Sequence, residues 1–333
     1  MNKDSVLEER EIKFLPVKLG SVIITILQQN IKSLASLKSK KHKVGKLKFK
    51  SQYNSIDLPA QAFSIQNNRF KIAGIKKHLK IHGLNQIKDH YETANAKLIR
   101  KPSGYYIHIT CFEFIKPEQI VKTGKEVGLD FGIKNNVTTS EGETFNLSIP
   151  ETEHLKRLSR KINRQQKGSK NRWKTRVKFQ REHERMCNRK ADVANKFCNK
   201  LLVENDVVYM QDENLRGWHS GLFGKQVQHS CMGLIKMKLK SSNKTRMIDR
   251  WYPSTKICYV CGTDNGALSL DQRVYRCSKC GLVEDRDVKA AKTIKHVGQC
   301  KSSYIPMVSR DFKPVEKTPL DNKTLSLMFK YFL

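Results

Sequence analysis

The chain has 333 residues, 38% hydrophobic and 29% charged, which is enough apolar material for two ordinary cores and excludes wholesale disorder. Sixty-four lysines and arginines stand against 31 acids, a formal charge of +33; such a surplus repels itself unless a polyanion neutralises it, so nucleic acid is the expected partner class and a small-molecule substrate is not. No segment approaches the roughly 20 apolar residues that span a bilayer, and Asp4, Glu8, Glu9 and Glu11 leave residues 1–13 without an apolar export signal, so a soluble, intracellular protein is expected.

In chain order, Leu19 to Leu37 reads as a helix, followed by Lys38, Lys40, Lys41, Lys43, Lys46, Lys48 and Lys50 in a basic loop or strand. Residues 56–120 form short β-rich runs, such as Phe70 to Ile75 and Tyr105 to Phe114, and predict a small β domain ending near Lys116-Pro117-Glu118. Glu126 to Ile133 reads as a buried strand with Asp130 in its middle. Asn136 to Ser140 and Thr144 to Leu147 follow as strands turning at Glu141-Gly142. An acid inside an apolar strand needs a partner or a metal.

Residues 154–201 carry seventeen lysines and arginines against Glu182, Glu184 and Asp192. Leu155, Leu158 and Ile162, then Trp173 and Val177, then Val193, Phe197 and Leu201 recur at helical spacing on either side of a polar break. Two helices joined near Gln165 to Asn171 would show one apolar stripe to a core and a cationic face to solvent. Candidate nucleic-acid contacts on that face are Lys156, Arg157, Arg160, Lys161, Arg164, Lys167, Lys170, Arg172, Lys174 and Arg176. Asp206 to Met210 is a short strand leading into Gln211-Asp212-Glu213. A helix at about His229 to Lys240, a strand around Met247 to Tyr252, and a helix from about Val288 complete the outline.

Cys258-x2-Cys261, fifteen residues, then Cys277-x2-Cys280 supplies four thiolates on two turns, the pattern of a tetrahedral structural Zn2+ site with no open position for chemistry. Gly262 and Gly281 each follow the second cysteine of a pair, where a tight knuckle favours a residue without Cβ. The other cysteines, Cys111, Cys187, Cys198, Cys231 and Cys300, lack ligand spacing and are expected as small buried apolar residues.

Acids therefore carry any chemistry. Asp130 lies on a strand, Asp212 or Glu213 at the end of another, and Asp285 with Asp287 at a helix start. Hydrolysis of phosphodiesters by two Mg2+ needs such a set of carboxylates; taken alone, Asp285 and Asp287 read equally as helix N-caps.

The ordered combination resembles the RuvC-like nuclease half of TnpB, the OrfB-type protein of insertion sequences and a relative of type V CRISPR effectors. The likeness rests on Gly128-Leu-Asp130-Phe-Gly-Ile133, the basic hairpin with Lys167-Gly-Ser-Lys-Asn171, the four cysteines, residues 281–291 from Gly281 to Ala291, and Leu98 to Gly104. It implies an α/β fold: an RNase H-like (RuvC) mixed sheet at 121–253 with the inserted basic hairpin, a zinc ribbon at 254–284, a last helix at 285–298 and a tail at 299–333. A β-rich domain at 56–120 would precede it, after a shortened helical and basic remnant at 1–55. It further implies a transposon-associated, RNA-guided DNA endonuclease, cytoplasmic and nucleoid-associated in a bacterium or archaeon, with guide RNA and target DNA as partners.

By that resemblance Asp130 and Asp287 would bind catalytic Mg2+ or Mn2+. The family's usual second acid falls at Gln211, and strand alternation leaves Glu213 on the same face as Gln211 with Asp212 turned away; Glu213 is the expected second ligand. Lys289 stands where the family often has Asn, either near the metals or directed at phosphate. A non-cleaving RNA-guided DNA-binding repressor and a decayed transposon fragment remain the alternatives.

Overall fold

A computed structural model describes residues 16–45, 53–66, 69–114, 122–266, 269, 272–300 and 304–305. The expectations attached to residues 1–13, to Lys46, Lys48 and Lys50, to the boundary at Lys116-Pro117-Glu118, and to the tail after residue 305 lie outside the described residues. The chain divides into two units, residues 1–121 with 151–187, and residues 122–150 with 188–333.

In the first unit, α1 (Val17–Ser39) follows Pro16 and buries none of its residues. Strand β1 (Ser55–Leu58) precedes the antiparallel trio β2 (Phe63–Gln66), β3 (Arg69–Ile72) and β4 (Leu79–Lys80). The long hairpin β5 (Glu92–Lys101) and β6 (Gly104–Phe112) adds to β1 in the order β1-β5-β6. Leu58, Phe70, Ile72 and Ala96 form the core, with the Phe63 ring stacked 5.0 Å from that of Phe70.

The basic segment is a helical pair, as its periodicity predicts. Helix α2 (Glu153–Arg164) starts at Thr152, whose hydroxyl accepts the Leu155 N–H at 3.2 Å. Helix α3 (Lys170–Glu204) runs 35 residues, longer than the apolar spacing implied. Two of its residues hold the β5–β6 turn: Arg181 Nε donates to the Pro102 carbonyl at 2.9 Å, and Glu184 accepts from the Ser103 N–H and hydroxyl at 3.1 and 2.7 Å.

The second unit is built on a six-stranded mixed sheet. Its strands are β7 (Glu126–Phe131), β8 (Val137–Thr139), β9 (Thr144–Phe145), β10 (Val207–Gln211), β11 (Thr245–Ile248) and, last in sequence, β14 (Tyr304–Ile305). Their order is β14-β11-β10-β7-β8-β9, with β7, β10 and β11 parallel and the outer strands antiparallel. Between β10 and β11 lie α4 (Leu215–Ser220), α5 (Gly224–His229) and α6 (Met232–Lys240), so the helix expected from His229 is split at Ser230. A two-stranded ribbon, β12 (Val274–Arg276) and β13 (Val283–Asp285), leads directly into α7 (Arg286–Gln299).

Strand alternation sorts the sheet's two faces. Val127, Leu129, Phe131, Val208 and Met210 pack with Phe197 and Leu201 of α3 and Met232, Ile235 and Leu239 of α6. Tyr209 and Ile248 point the other way and pack with Ile294 and Val297 of α7. Two glycines set how closely α7 approaches. A Cβ on Gly128 would lie 2.2 Å from the Ala291 carbonyl oxygen, and one on Gly298 would lie 2.1 Å from the Tyr209 ring. This glycine packing sets the distance of the α7 N-terminus, which carries Asp287, from the strand ends.

Candidate active site

Asp130 alternates with Leu129 and Phe131 and therefore shares the α7 face of β7 with Gly128. Next to it, one step beyond the Leu129–Met210 pairing, comes Gln211 at the end of β10. Glu213 follows two residues later, and Asp287 occupies the first turn of α7. Burial pushes the Asp130 carboxyl well above the ordinary carboxylate range, the negative charges of Asp287 and Glu213 push it further, and Arg286 opposes them. Glu213 is raised as well, by burial first and by Asp212 after it, against Lys236 and Arg250. Asp287 and Glu213 thus lie within electrostatic reach of Asp130, although among the described residues only the four cysteines bring three or more ligand atoms close enough together to hold a metal ion.

The neighbouring acids have other partners. Asp212, in the turn just past the end of β10, binds Lys236 Nζ at 2.7 Å and Arg250 Nη2 at 3.0 Å; burial alone would raise its carboxyl, but these two cations outweigh that and hold it low. Asp285 is the N-cap of α7, its Oδ1 accepting the N–H groups of Asp287 at 2.9 Å and Val288 at 3.1 Å. Of the two acids that read alike in sequence, one is a cap. Asp287 is free of that duty and faces Arg273 Nη1 at 3.8 Å. Among the described residues, no side chain makes a hydrogen bond or ion pair with the Asp130 carboxylate.

Gln211 is 4% exposed and fully engaged. Its Nε2 donates to the carbonyls of Asp249, Arg250 and Tyr252 at 3.0, 3.1 and 2.7 Å, and its Oε1 accepts from Ser254 Oγ at 3.0 Å. The strand expected over Met247 to Tyr252 accordingly ends at Ile248, because the carbonyls beyond it turn inward to this amide. A carboxylate at position 211 would offer lone pairs where donors are needed. Lys236, Arg250 and Ser254, all found only by the fold, carry no spacing signal that would connect them to the acids.

The four cysteines converge, with their sulfurs all within 4.8 Å of one another. The Cys258–Cys280 and Cys261–Cys277 separations are 3.7 and 3.5 Å, too long for a disulfide and near the ~3.8 Å edge of a tetrahedron with metal–sulfur bonds of about 2.3 Å. Gly262 and Gly281 both adopt φ +71°, the left-handed knuckle conformation their placement predicts. The cluster can hold a metal ion, with every ligand position taken by sulfur.

Known proteins match this arrangement. Residues 109–217 match the OrfB_IS605 family, described as "Probable transposase", and residues 232–294 match the Cas12f1-like TNB domain. A Streptomyces pristinaespiralis protein named "Putative RNA-guided DNA endonuclease" is 30% identical over 300 residues, spanning 86% of this chain and 74% of that protein. The chain belongs to the TnpB family.

The first TnpB-family match contains Asp130, the basic hairpin and Glu213; the second contains the four cysteines and Asp287. On the hairpin, Arg157, Arg160, Lys161, Arg164, Lys167, Lys170, Lys174 and Arg176 are exposed. Lys156 and Arg172 are partly buried and have internal partners, Glu153 at 2.7 Å and the Gln165 carbonyl at 2.8 Å.

Three expectations are corrected. Lys289 is directed neither at the acids nor at phosphate: it is fully buried, its Nζ donates to the Ser254 carbonyl at 3.0 Å and lies 4.0 Å from the centre of the Tyr275 ring. Trp173 does not join the apolar stripe but is 65% exposed among the cations. Of the five unpaired-motif cysteines only Cys198 and Cys231 are buried, while Cys187 and Cys300 are exposed. Among the described residues no helix is long and apolar enough to cross a membrane.

Proposed function

We propose that this TnpB-family chain is an RNA-guided DNA endonuclease with an RNase H-like core, hydrolysing phosphodiester bonds at two Mg2+ or Mn2+ ions held by Asp130, Glu213 and Asp287. One observation carries the reading. Asp130 is raised by burial first and by its acidic neighbours after it, and among the described residues it has no side-chain partner, although Asp212 nearby takes two cations. A protein that can supply Lys236 and Arg250 to one acid leaves Asp130 for an external cation. The sheet order, with two antiparallel strands beside β7 and parallel strands on its other side, supports the core assignment.

When bound, the divalent ions supply polarisation of the phosphate and activation of the attacking water. The chain's own residues prepare the place for them. Asp130 and Glu213 present carboxylates from adjoining strand ends, and Asp287 closes the set from α7, whose distance Gly128 and Gly298 allow. Arg250 and Lys236, anchored on Asp212, put positive charge beside the acids to receive the DNA backbone. The exposed hairpin cations neutralise the phosphates of guide RNA and target DNA, base pairing with the guide supplies sequence choice, and action on cellular DNA places the protein with the nucleoid. Zn2+ on Cys258, Cys261, Cys277 and Cys280 holds the ribbon and takes no part in hydrolysis.

The test is cleavage of target DNA by the chain with its cognate RNA and Mg2+. Asp130→Ala lowers the rate by roughly 10³-fold or more while binding of the target persists. Equal cleavage by wild type and Asp130→Ala sinks the assignment. The amide at Gln211 motivates a second reading, RNA-guided binding without scission; it predicts tight target binding by wild type, intact DNA, and no change in product with Glu213→Ala.

A further inference from the structure

We propose that Trp251 is a stacking platform for a nucleobase of the DNA strand presented to the acidic site, and that Gln211 is the residue that positions it. The identity of the strand rests on the nuclease reading above; the platform itself rests on geometry.

Trp251 is 82% exposed, although an indole ring is among the side chains that gain most from burial. Exposed rings on loose loops are unremarkable, but this one is on a clamped turn. The Trp251 N–H donates to Asp249 Oδ1 at 2.7 Å. The carbonyls of both preceding residues, Asp249 and Arg250, and of the following residue, Tyr252, all accept from the single buried amide of Gln211. Ser254 Oγ, donating to Gln211 Oε1 at 3.0 Å, fixes which way that amide faces. The backbone on each side of the ring is therefore tied to the end of β10, and little ordering remains to be lost when a flat partner settles on it.

Its position gives the partner's chemistry. Arg250, next to Trp251, donates from Nε to the Asp212 carbonyl at 2.8 Å and pairs from Nη2 with the Asp212 carboxylate at 3.0 Å. Asp212 precedes Glu213, so a cation and an exposed aromatic ring leave the same turn beside the proposed hydrolytic carboxylates. Positive charge for the backbone with an aromatic face for the base is the combination that binds single strands, and it accepts any base, because every base has a π-face. A duplex keeps its bases stacked on one another; the platform selects an unpaired strand.

The same geometry accounts for the amide at position 211. Three carbonyls converge on Nε2, where a glutamine offers two N–H donors to share among them and a glutamate would repel all three. In this chain the residue adjoining Asp130 on the sheet serves the turn that carries Trp251.

The full chain, without added Mg2+ or Mn2+ so that no DNA is cut, is titrated with a ~12-nucleotide single-stranded DNA carrying 2-aminopurine at successive positions, at high salt to suppress binding by backbone charge alone. Wild type quenches the probe at a defined position. Trp251→Ala abolishes that quenching and weakens binding roughly tenfold, Trp251→Phe returns affinity to within about threefold of wild type, and Gln211→Leu loses the quenching with Trp251 intact. Unchanged quenching in Trp251→Ala overturns the platform, and unchanged quenching in Gln211→Leu overturns the positioning role. Trp251-dependent quenching in a chain that cuts no guided target with Mg2+ keeps the platform and removes the nuclease; cleavage with Trp251-independent quenching does the reverse.

Discussion

The cysteine cluster takes all four of its sulfurs from the stretch between Cys258 and Cys280, whereas the acids come from Asp130, Glu213 and Asp287, on two strand ends and a helix. The two sites are adjacent in sequence at their closest, with six residues between Cys280 and Asp287. They are nonetheless built by different physics. The ribbon's ligands approach one another because two knuckles, each turned by a glycine at φ +71°, fold locally. The acids approach one another only because the parallel pairing of β7 with β10 and the close seating of α7 on Gly128 and Gly298 bring distant chain segments together. A local metal site contributes directly to folding. Buried like charges within electrostatic reach of one another oppose folding.

That contrast yields its largest expected effect at the ribbon. Cys258→Ser removes one of four thiolates from a cluster that can hold a metal ion; binding of structural Zn2+ at sites of this kind is worth about 10 kcal/mol or more. The purified variant is expected to carry no zinc, measured by metal analysis, and to expose the ribbon segment to protease. Full zinc content in Cys258→Ser would show that the cluster is not the closed site described.

Gln211→Leu tests the connection between the two regions. It strands the carbonyls of Asp249, Arg250 and Tyr252 and the hydroxyl of Ser254 without their partner, at a cost of about 2–3 kcal/mol. Denaturant unfolding of the metal-loaded chain measures this, and a loss under about 0.5 kcal/mol would show that the turn does not depend on the amide.

The smallest effect has the opposite sign. Asp130→Asn relieves the burial and repulsion that raise its carboxyl and is expected to stabilise the chain by about 1 kcal/mol when no divalent ion is added, with the gain shrinking as Mg2+ is supplied. Thermal unfolding with and without Mg2+ reads both. A destabilised Asp130→Asn would mean that Asp130 has a structural partner, and the comparison with the ribbon would fail.

Several elements were legible from residue pattern. The zinc-type spacing, the two basic helices, the strand holding Asp130 and the turn at Glu141-Gly142 follow from local periodicity and turn chemistry. Alternation does not reach Asp212 and Glu213, because β10 ends at Gln211 and the chain turns at once, the Glu213 N–H donating to the Gln211 carbonyl at 2.9 Å. What could not be read was which polar residues face inward. Lys289 looked like a cation for the acids and is instead fully buried against Tyr275 in the ribbon, because residues two apart on a helix lie on nearly opposite sides, so Lys289 leaves α7 away from Asp287. Trp173 has the spacing of a core residue and the exposure of a surface one, since periodicity marks a helix face without saying whether anything covers it.

By itself, then, the sequence determined what depends on neighbours within about one turn or one strand: the thiolate pairs, the cationic helices, the alternation that assigns Asp130 to a face of β7. Only the tertiary structure decided that Asp285 caps α7 while Asp287 does not, that Asp130 has acids and, among the described residues, no side-chain partner around it, and that the Gln211 amide serves the Trp251 turn. The reason is the range of the forces. Backbone geometry and turn preference act between residues close in sequence, whereas burial, charge repulsion and donor–acceptor matching act between whatever groups the sheet order brings together.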